Sequence, residues 1–416
     1  MLVLVPLLIV AYQRFSDPSS DYPGTAPADL SAQVRRGAYL AQAGNCMACH
    51  TARGGERYAG GRAIGTPFGN IHASNLTPDA QTGIGAWSAD DFWRAMHDGK
   101  SKDGSFLYPA FPYPNYTKVT RADSDALFAY LKSVPAVKQQ NREHELRFPY
   151  NQRFLLAFWR MLYFSPGVFE ADQTQSAAWN RGAYLVQGLG HCAACHTSRD
   201  AVGGMAADDL GGGMIPMLDW YAPSLGSHTE SGLGAWSDQE IADLLRTGVS
   251  PRGAVFGPMA EVVGKSLRHL SPEDIGSMVT YLRTLPDNRP ASFPTAQLSP
   301  AIVEATLKRG ERLYARNCVE CHGADGKGAP PAYPPLAGNT SLSAALAVNP
   351  IRMVLNGGYP PSTNGNPRPY GMPPFSASMS DEDIAAVVSY VRTAWGNRGA
   401  VVSSFEVGRL RGAPAE

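Results

Sequence analysis

No cysteine in this 416-residue chain stands outside a pair. The six are Cys46 and Cys49, Cys192 and Cys195, Cys318 and Cys321, each pair two residues apart. None is left over for a disulfide framework. The chain also lacks net charge, with 36 basic and 36 acidic residues. That excludes the phosphate-neutralising field of a nucleic-acid partner. No Gly-x-Gly-x-x-Gly fingerprint and no nucleophile triad is present. "GADGKG" (323–328) is glycine-rich but trails a Cys-x-x-Cys-His motif, so it does not read as a phosphate loop. There is no apolar run of about 20 residues, the length that spans a bilayer. The opening "MLVLVPLLIVAY" is shorter and lacks the basic start of a signal peptide. Followed by the loop "SDPSSDYPGTAP", it reads as a hydrophobic membrane segment, a signal-anchor whose first residues lie outside this chain. The rival reading is a buried strand or helix.

What the sequence does contain is one unit written three times. "RRGAYLAQAGNCMACHTAR" (35–53) returns as "NRGAYLVQGLGHCAACHTSR" (180–199) and, more loosely, as "KRGERLYARNCVECHGADGKG" (308–328). Each is an apolar-periodic helix running into Cys-x-x-Cys-His. "GIGAWSADDFWRAMHDG" (83–99) matches "GLGAWSDQEIADLLRTG" (232–248). In both, a serine is followed three residues later by an acid, a capping-box start, and a glycine closes the helix. Each unit ends in an amphipathic helix carrying a tyrosine in register: Tyr130, Tyr281 and Tyr390. Composition with 43 glycines and 33 prolines predicts short helices and long loops. The predicted fold is all-α: three tandem domains at 30–138, 172–292 and 293–395. An N-terminal hydrophobic segment and tether (1–29), a connecting segment (139–171) and a tail (396–416) complete it. About a hundred residues is small for an independent core; a large apolar cofactor at each centre supplies the deficit.

Cys-x-x-Cys-His is the c-type haem attachment motif. Both thiols bond to the porphyrin, and the next residue is forced beneath the iron. The predicted anchors are Cys46, Cys49, Cys192, Cys195, Cys318 and Cys321, with His50, His196 and His322 as proximal ligands. Structural zinc needs four ligands, commonly from two paired motifs, and three copies on separate repeats fit that poorly. A redox dithiol needs a βαβ context that is missing. An electron-transfer haem usually takes a second axial ligand, and methionine raises its potential. The candidates are Met259 in "VFGPMAEVV" and Met372 in "PYGMPPFSASMSDED", both read as lying in Pro/Gly loops before the last helix. Met379 is a rival to Met372. In the first unit Phe111 stands where a methionine is expected. Met96, His97 and His72 are the nearest alternatives, and an open sixth site remains among the readings.

These motifs, with "GGRAIGTPFGNIHASNLTPDAQTGIGAW", "LYPAFPYPNYTKVT", "GPMAEVV" and "YPPLAGN", resemble the tri-haem cytochrome c subunit of membrane-bound bacterial dehydrogenases acting on alcohols, gluconate, sorbitol, fructose or aldehydes. The resemblance runs from about Arg35 to Arg411. It implies three covalent haems c, Met259 and Met372 as sixth ligands, a large catalytic partner subunit, and ubiquinone as acceptor at the periplasmic face of the cell membrane. The "YPAFPY" form resembles cytochromes attached to molybdopterin hydroxylases, which implies a small iron–sulfur subunit and an aldehyde substrate. The rivals are a subunit of an alcohol or gluconate dehydrogenase, a stand-alone cytochrome, and a haem enzyme using an open site on the first haem. "RFLLAFWRMLYF" (153–164) reads either as an amphipathic helix in the bilayer surface or as a helix packed within protein.

Overall fold

The computed structural model describes residues 4–16, 21, 22, 24, 29–205, 209–228, 232–287 and 298–412. The tether expected within 1–29 falls largely outside the described residues. The described residues lie within two compact units. One is Met1–Ala194 with Arg199–Ala206 and His269–Met278; the other is Cys195–Ser198 with Ala207–Arg268 and Val279–Glu416.

In the first unit the helix Leu30–Ala43 begins at Asp29, whose carboxylate accepts from the Ser31 and Ala32 amides. It crosses Arg121–Ser133 at Gly37, where a Cβ would overlap the Ala126 carbonyl oxygen and press on Tyr130 Cβ. This explains both the glycine of "RRGAYL" and the in-register tyrosine: the two helices touch backbone to backbone. Beside the crossing, Arg36 Nε donates to Asp123 Oδ1 at 2.6 Å. The second repeat repeats the pair, Arg181 gripping Asp274 through two hydrogen bonds of 2.7 Å. The tyrosines one turn on are exchanged. Tyr39 donates to Asp274 at 2.6 Å, and Tyr184 donates to Asp123 at 2.7 Å. Each acid thus holds an arginine of its own repeat and a tyrosine of the other, a reciprocal contact of the isologous kind. Burial raises the Asp274 pKa, but Arg181 and Tyr39 outweigh it and leave the carboxyl below its ordinary range.

The helix Ala89–Asp98 starts on the expected capping box, Ser88 with Asp91, and ends on Gly99 at φ 61°. Three short antiparallel strands, Ala63–Thr66, Gly69–His72 and Glu145–Leu146, form a small sheet in the order given. The all-α expectation is corrected to that extent: the long loops are pinned by ribbons. The opening apolar run is a helix, Leu4–Phe15. Its 12 residues reach about 18 Å at 1.5 Å per residue, against a hydrocarbon core of about 30 Å. No helix among the described residues is long and apolar enough to cross a membrane. Ile9 and Val10 pack instead on Phe106, Leu156 and Ala157. The segment 153–164 is a 3₁₀ turn, Arg153–Leu155, followed by the helix Leu156–Tyr163. Arg160 does not flank a surface as a bilayer-lying helix requires. It is buried over the rings of Phe106, Tyr113 and Phe164, at 5.1, 5.4 and 4.6 Å.

In the second unit the helix Pro300–Asn317 crosses Asp381–Thr393 at Gly310, where a Cβ would overlap the Ala386 carbonyl and press on Tyr390 Cβ. Arg309 Nε donates to Asp383 at 2.9 Å, the third copy of the arginine–aspartate pair. Ile351, Leu355, Ile384, Val387 and Val388 build the core there. Ser404–Arg411 of the tail is a helix that buries Val407 and Leu410, and Arg411 bonds Asp381 at 2.6 Å. A hairpin of Gly213–Ile215 with Trp220–Ala222 and a shorter one at Val249–Ala254 occupy the loops.

Gly37→Ala and Gly310→Ala are each expected to destabilise by about 3 kcal/mol, the upper end of overpacking costs. The backbone carbonyl they meet has no freedom to rotate away. Thermal unfolding followed by circular dichroism checks this.

Candidate haem-binding sites

The three Cys-x-x-Cys-His motifs fold alike. Each contains one helical turn, Cys46–Cys49, Ala193–His196 and Val319–His322. Each histidine then turns its ring the same way. His50 Nδ1 lies 2.7 Å from the Ser74 carbonyl, His196 Nδ1 2.7 Å from that of Pro223, and His322 Nδ1 3.1 Å from that of Pro334. A carbonyl oxygen only accepts, so Nδ1 carries the proton and Nε2 keeps its lone pair. That is the tautomer and orientation of a metal-ligating histidine with its outer partner in place. Burial lowers the pKa of all three below the ordinary imidazole value, which keeps them neutral and able to ligate.

A second feature repeats with the first. The carbonyls of His50, His196 and His322 accept from the amides of Gly60, Gly212 and Gly328, at 2.8, 2.8 and 2.9 Å. These glycines have φ of 78°, 93° and 60°. A Cβ on Gly60 would lie 2.5 Å from Ser74 C, and one on Gly212 2.9 Å from Ser224 N. The glycine therefore lets the carbonyl-bearing segment close on the histidine. The sequence reading missed it, because the spacing from histidine to glycine differs in each repeat.

The cysteines fit thioether formation better than their rivals. No disulfide joins any of the six. Burial pushes the Cys46 thiol up to about 12 and the Cys318 thiol up to about 11. An attacking dithiol needs the opposite shift. Among the described residues no group of three or more His, Cys, Asp or Glu side chains is placed to share a metal ion. The second repeat also holds buried donors that are left unpaired. In the second unit the buried donors Trp220 Nε1, Tyr221 Oη and Trp236 Nε1 have no partner. Such donors cost about 1–3 kcal/mol each when left so, and the two carboxylates of a haem c are acceptors of the right kind.

Met372 lies in the expected loop, tied to Gly358 by reciprocal backbone bonds of 2.9 and 3.0 Å. Met259 does not lie in a loop. It is the third residue of the helix Gly257–Lys265, with Pro258 in the first turn, where a missing amide is tolerated. Met379, the rival to Met372, is buried in the core of the third repeat. In the first unit Met96 and His97 are adjacent on Ala89–Asp98 and face different surroundings. Met96 belongs to the cluster of Leu40, Tyr58, Phe92 and Tyr116, against which Cys46 and Phe111 pack. His97 is stacked on Trp93 at 4.5 Å, and its Nδ1 lies 3.0 Å from the Thr117 carbonyl. His72 is paired with Glu145 at 3.3 Å. The structure thus packs Met96 and Cys46 in one cluster, stacks the His97 ring on Trp93 with the same kind of Nδ1–carbonyl bond as the motif histidines, and sets His72 beside Glu145.

One residue the sequence reading passed over joins two motifs. His191, which precedes Cys192, stands edge-on to Tyr116 at 5.6 Å. Tyr116 Oη donates to the Gly44 carbonyl at 3.2 Å, two residues before Cys46. The approaches to the first and second motifs therefore meet through two side chains.

His97→Ala is expected to cost about 1–2 kcal/mol through the lost ring stack and hydrogen bond, and to leave the visible and EPR spectra of the haems unchanged. A new high-spin signal would contradict this placement.

The Cytochrome c family matches this chain at residues 34–135, 180–286 and 307–395. The cytochrome c subunit of the quinone alcohol dehydrogenase of Gluconacetobacter polyoxogenes is 38% identical over 403 residues, covering 92% of this chain and 86% of that protein. The gluconate 2-dehydrogenase cytochrome c subunit of Pantoea cypripedii is 38% identical over 397 residues, covering 91% and 90%. The fructose dehydrogenase cytochrome subunit of Gluconobacter japonicus is 35% identical over 424 residues, covering 93% of this chain and 85% of that protein. With three matched domains and three like-built histidine sites, the chain belongs to the cytochrome c family, as a three-domain relative of the cytochrome c subunits of bacterial dehydrogenases.

Proposed function

We propose that this protein is the electron-transfer subunit of a periplasmic, membrane-bound dehydrogenase, carrying electrons from a separate catalytic subunit to ubiquinone. The observation that carries the reading is the threefold repetition of one histidine geometry within a single chain. A catalyst needs one such centre; a conduit needs a series. Haem c, when bound, exchanges one electron at a time between its ferric and ferrous states. The chain's own residues do the rest. The cysteine pairs 46/49, 192/195 and 318/321 hold the three groups covalently, and His50, His196 and His322 present Nε2 to each iron. Met259 and Met372 close the second and third sites. Met96 closes the first, with Phe111 filling the place that a loop methionine takes in the other two repeats.

Attachment to the membrane is supported by the first unit's exposed apolar side chains. Leu8, Tyr12 and Phe15 on the opening helix, and Phe154, Met161 and Leu162 around the second, all face solvent. Aromatic and aliphatic side chains of this sort suit the bilayer surface. For the substrate, the "YPAFPY" motif favours an aldehyde oxidised on a molybdopterin subunit with an iron–sulfur companion. The second reading, a quinone alcohol or gluconate dehydrogenase, is favoured by the 38% identity to cytochrome subunits of both over about nine-tenths of the chain.

Purification from source membranes in mild detergent tests the reading. A large dehydrogenase subunit is expected to co-purify, and the complex to reduce a ubiquinone analogue with its substrate. The isolated chain oxidising substrate unaided would overturn the assignment. Met259→Leu and Met372→Leu should each remove part of the near-infrared methionine-to-iron band and lower one midpoint potential. Met96→Leu should turn one haem high-spin; no change there transfers the first haem to the open-site reading.

A further inference from the structure

The first motif's histidine is held by a peptide group that is itself held from behind. Ser74 supplies the carbonyl that accepts from His50 Nδ1 at 2.7 Å. The N–H of that same peptide group belongs to Asn75, and it donates to Asn141 Oδ1, also at 2.7 Å. Asn141 Nδ2 donates to the Thr82 carbonyl at 3.0 Å, which turns the side-chain oxygen toward Asn75. Asn141, one peptide group and the His50 ring are thus joined in a single chain of hydrogen bonds.

The peptide group has little freedom to turn. Asn75 is 2% exposed, and its Nδ2 donates to Thr82 Oγ1 at 3.1 Å and to the Val137 carbonyl at 2.8 Å. Its Oδ1 accepts from the Thr77 amide and hydroxyl at 2.9 and 2.7 Å. Asn141 itself is exposed and lies past residues 34–135, where the cytochrome c match to the first domain ends. It comes from the connecting segment. Further along, that segment pairs Glu145–Leu146 with Gly69–Asn70, and His144 Nδ1 accepts from the His72 amide at 3.2 Å. The third repeat cannot build the same chain. Pro335 follows Pro334, so the peptide group that accepts from His322 has no N–H to hold.

We propose that Asn141 is a positioning residue for the first haem: by holding the Asn75 amide it strengthens the hydrogen bond from His50 to Ser74 and lowers that haem's potential. A bond to the N–H end of a peptide group polarises it and makes its oxygen a better acceptor. A better acceptor draws the Nδ1 proton and leaves Nε2 more basic. A more basic ligand favours ferric iron, with its extra positive charge, over ferrous. All of this rests on His50 ligating the first iron.

Potentiometric titration of the intact three-haem protein tests it. In Asn141→Ala one midpoint potential of three should rise, by about threefold in reduction equilibrium, which is about 28 mV at about 59 mV per tenfold for one electron. The other two should not move. Asn141→Asp keeps an acceptor there and adds negative charge, so the same potential should fall below its original value. Asn70→Ala removes the 3.0 Å bond to Glu145, a different tie between the same two segments, and should leave all three potentials unchanged. The Cys46→Ser/Cys49→Ser protein should keep only the two potentials that Asn141→Ala leaves in place. Unchanged potentials in Asn141→Ala, or an equal rise in Asn70→Ala, would overturn the inference. If Asn141→Ala fails to mature, an unshifted Asn141→Asp overturns it instead. Three potentials persisting without Cys46 and Cys49 would overturn the haem reading itself, and the role of Asn141 with it.

Discussion

The hydrogen bond from each histidine's Nδ1 to a backbone carbonyl is the contact on which the rest depends. It fixes the tautomer, frees Nε2, and aims the ring. To make it, a loop must return to the histidine, and the three loops differ in length and sequence. What they share is a glycine in the left-handed region, Gly60, Gly212 or Gly328, whose amide bonds the histidine carbonyl. Histidine and returning loop are thereby tied at two points, on the side chain and on the backbone. The ribbons in the loops follow from the same need, since a long irregular loop cannot hold a carbonyl still without some ladder beneath it.

Around that centre the scaffold solves a packing problem once and reuses it. First and last helices of a repeat cross at glycine, seen at Gly37 and Gly310, and an arginine on one meets an aspartate on the other. The first two repeats then share the solution further. Tyr39 and Tyr184 each reach the aspartate of the other repeat. The third has Arg312 at the position of those tyrosines, in keeping with its looser sequence match. Tyr116 and His191, both in the first unit, add a further link between the chain segments that lead into the first two motifs.

Much of this was legible in the sequence, and the reasons are local. Cysteine and histidine spacing names the attachment chemistry, because covalent geometry leaves little choice. Ser88 with Asp91 and Ser237 with Glu240 mark helix starts, because a capping box is settled within four residues. What the sequence hid was long-range. Met259 read as a loop residue, since "FGP" breaks helices, yet Pro258 sits in the first turn, where it is tolerated. Met379 read as a residue at a helix start, and its place in the third core was not legible. Arg160 stands in a segment that read either as a surface helix or as one packed within protein, and the rings of Phe106, Tyr113 and Phe164 enclose it. No periodicity reveals a partner that is distant in the chain.

The account's central claim is three covalent haems, one per cysteine pair. The direct measurement is haem stoichiometry on protein matured in a periplasm, by pyridine haemochrome and intact mass after acid–acetone extraction. Three haems per chain, all resisting extraction, and two per chain after both cysteines of any one pair are replaced by serine, is the predicted result. Haem that extracts, or a count that stays unchanged when a pair is removed, would contradict it.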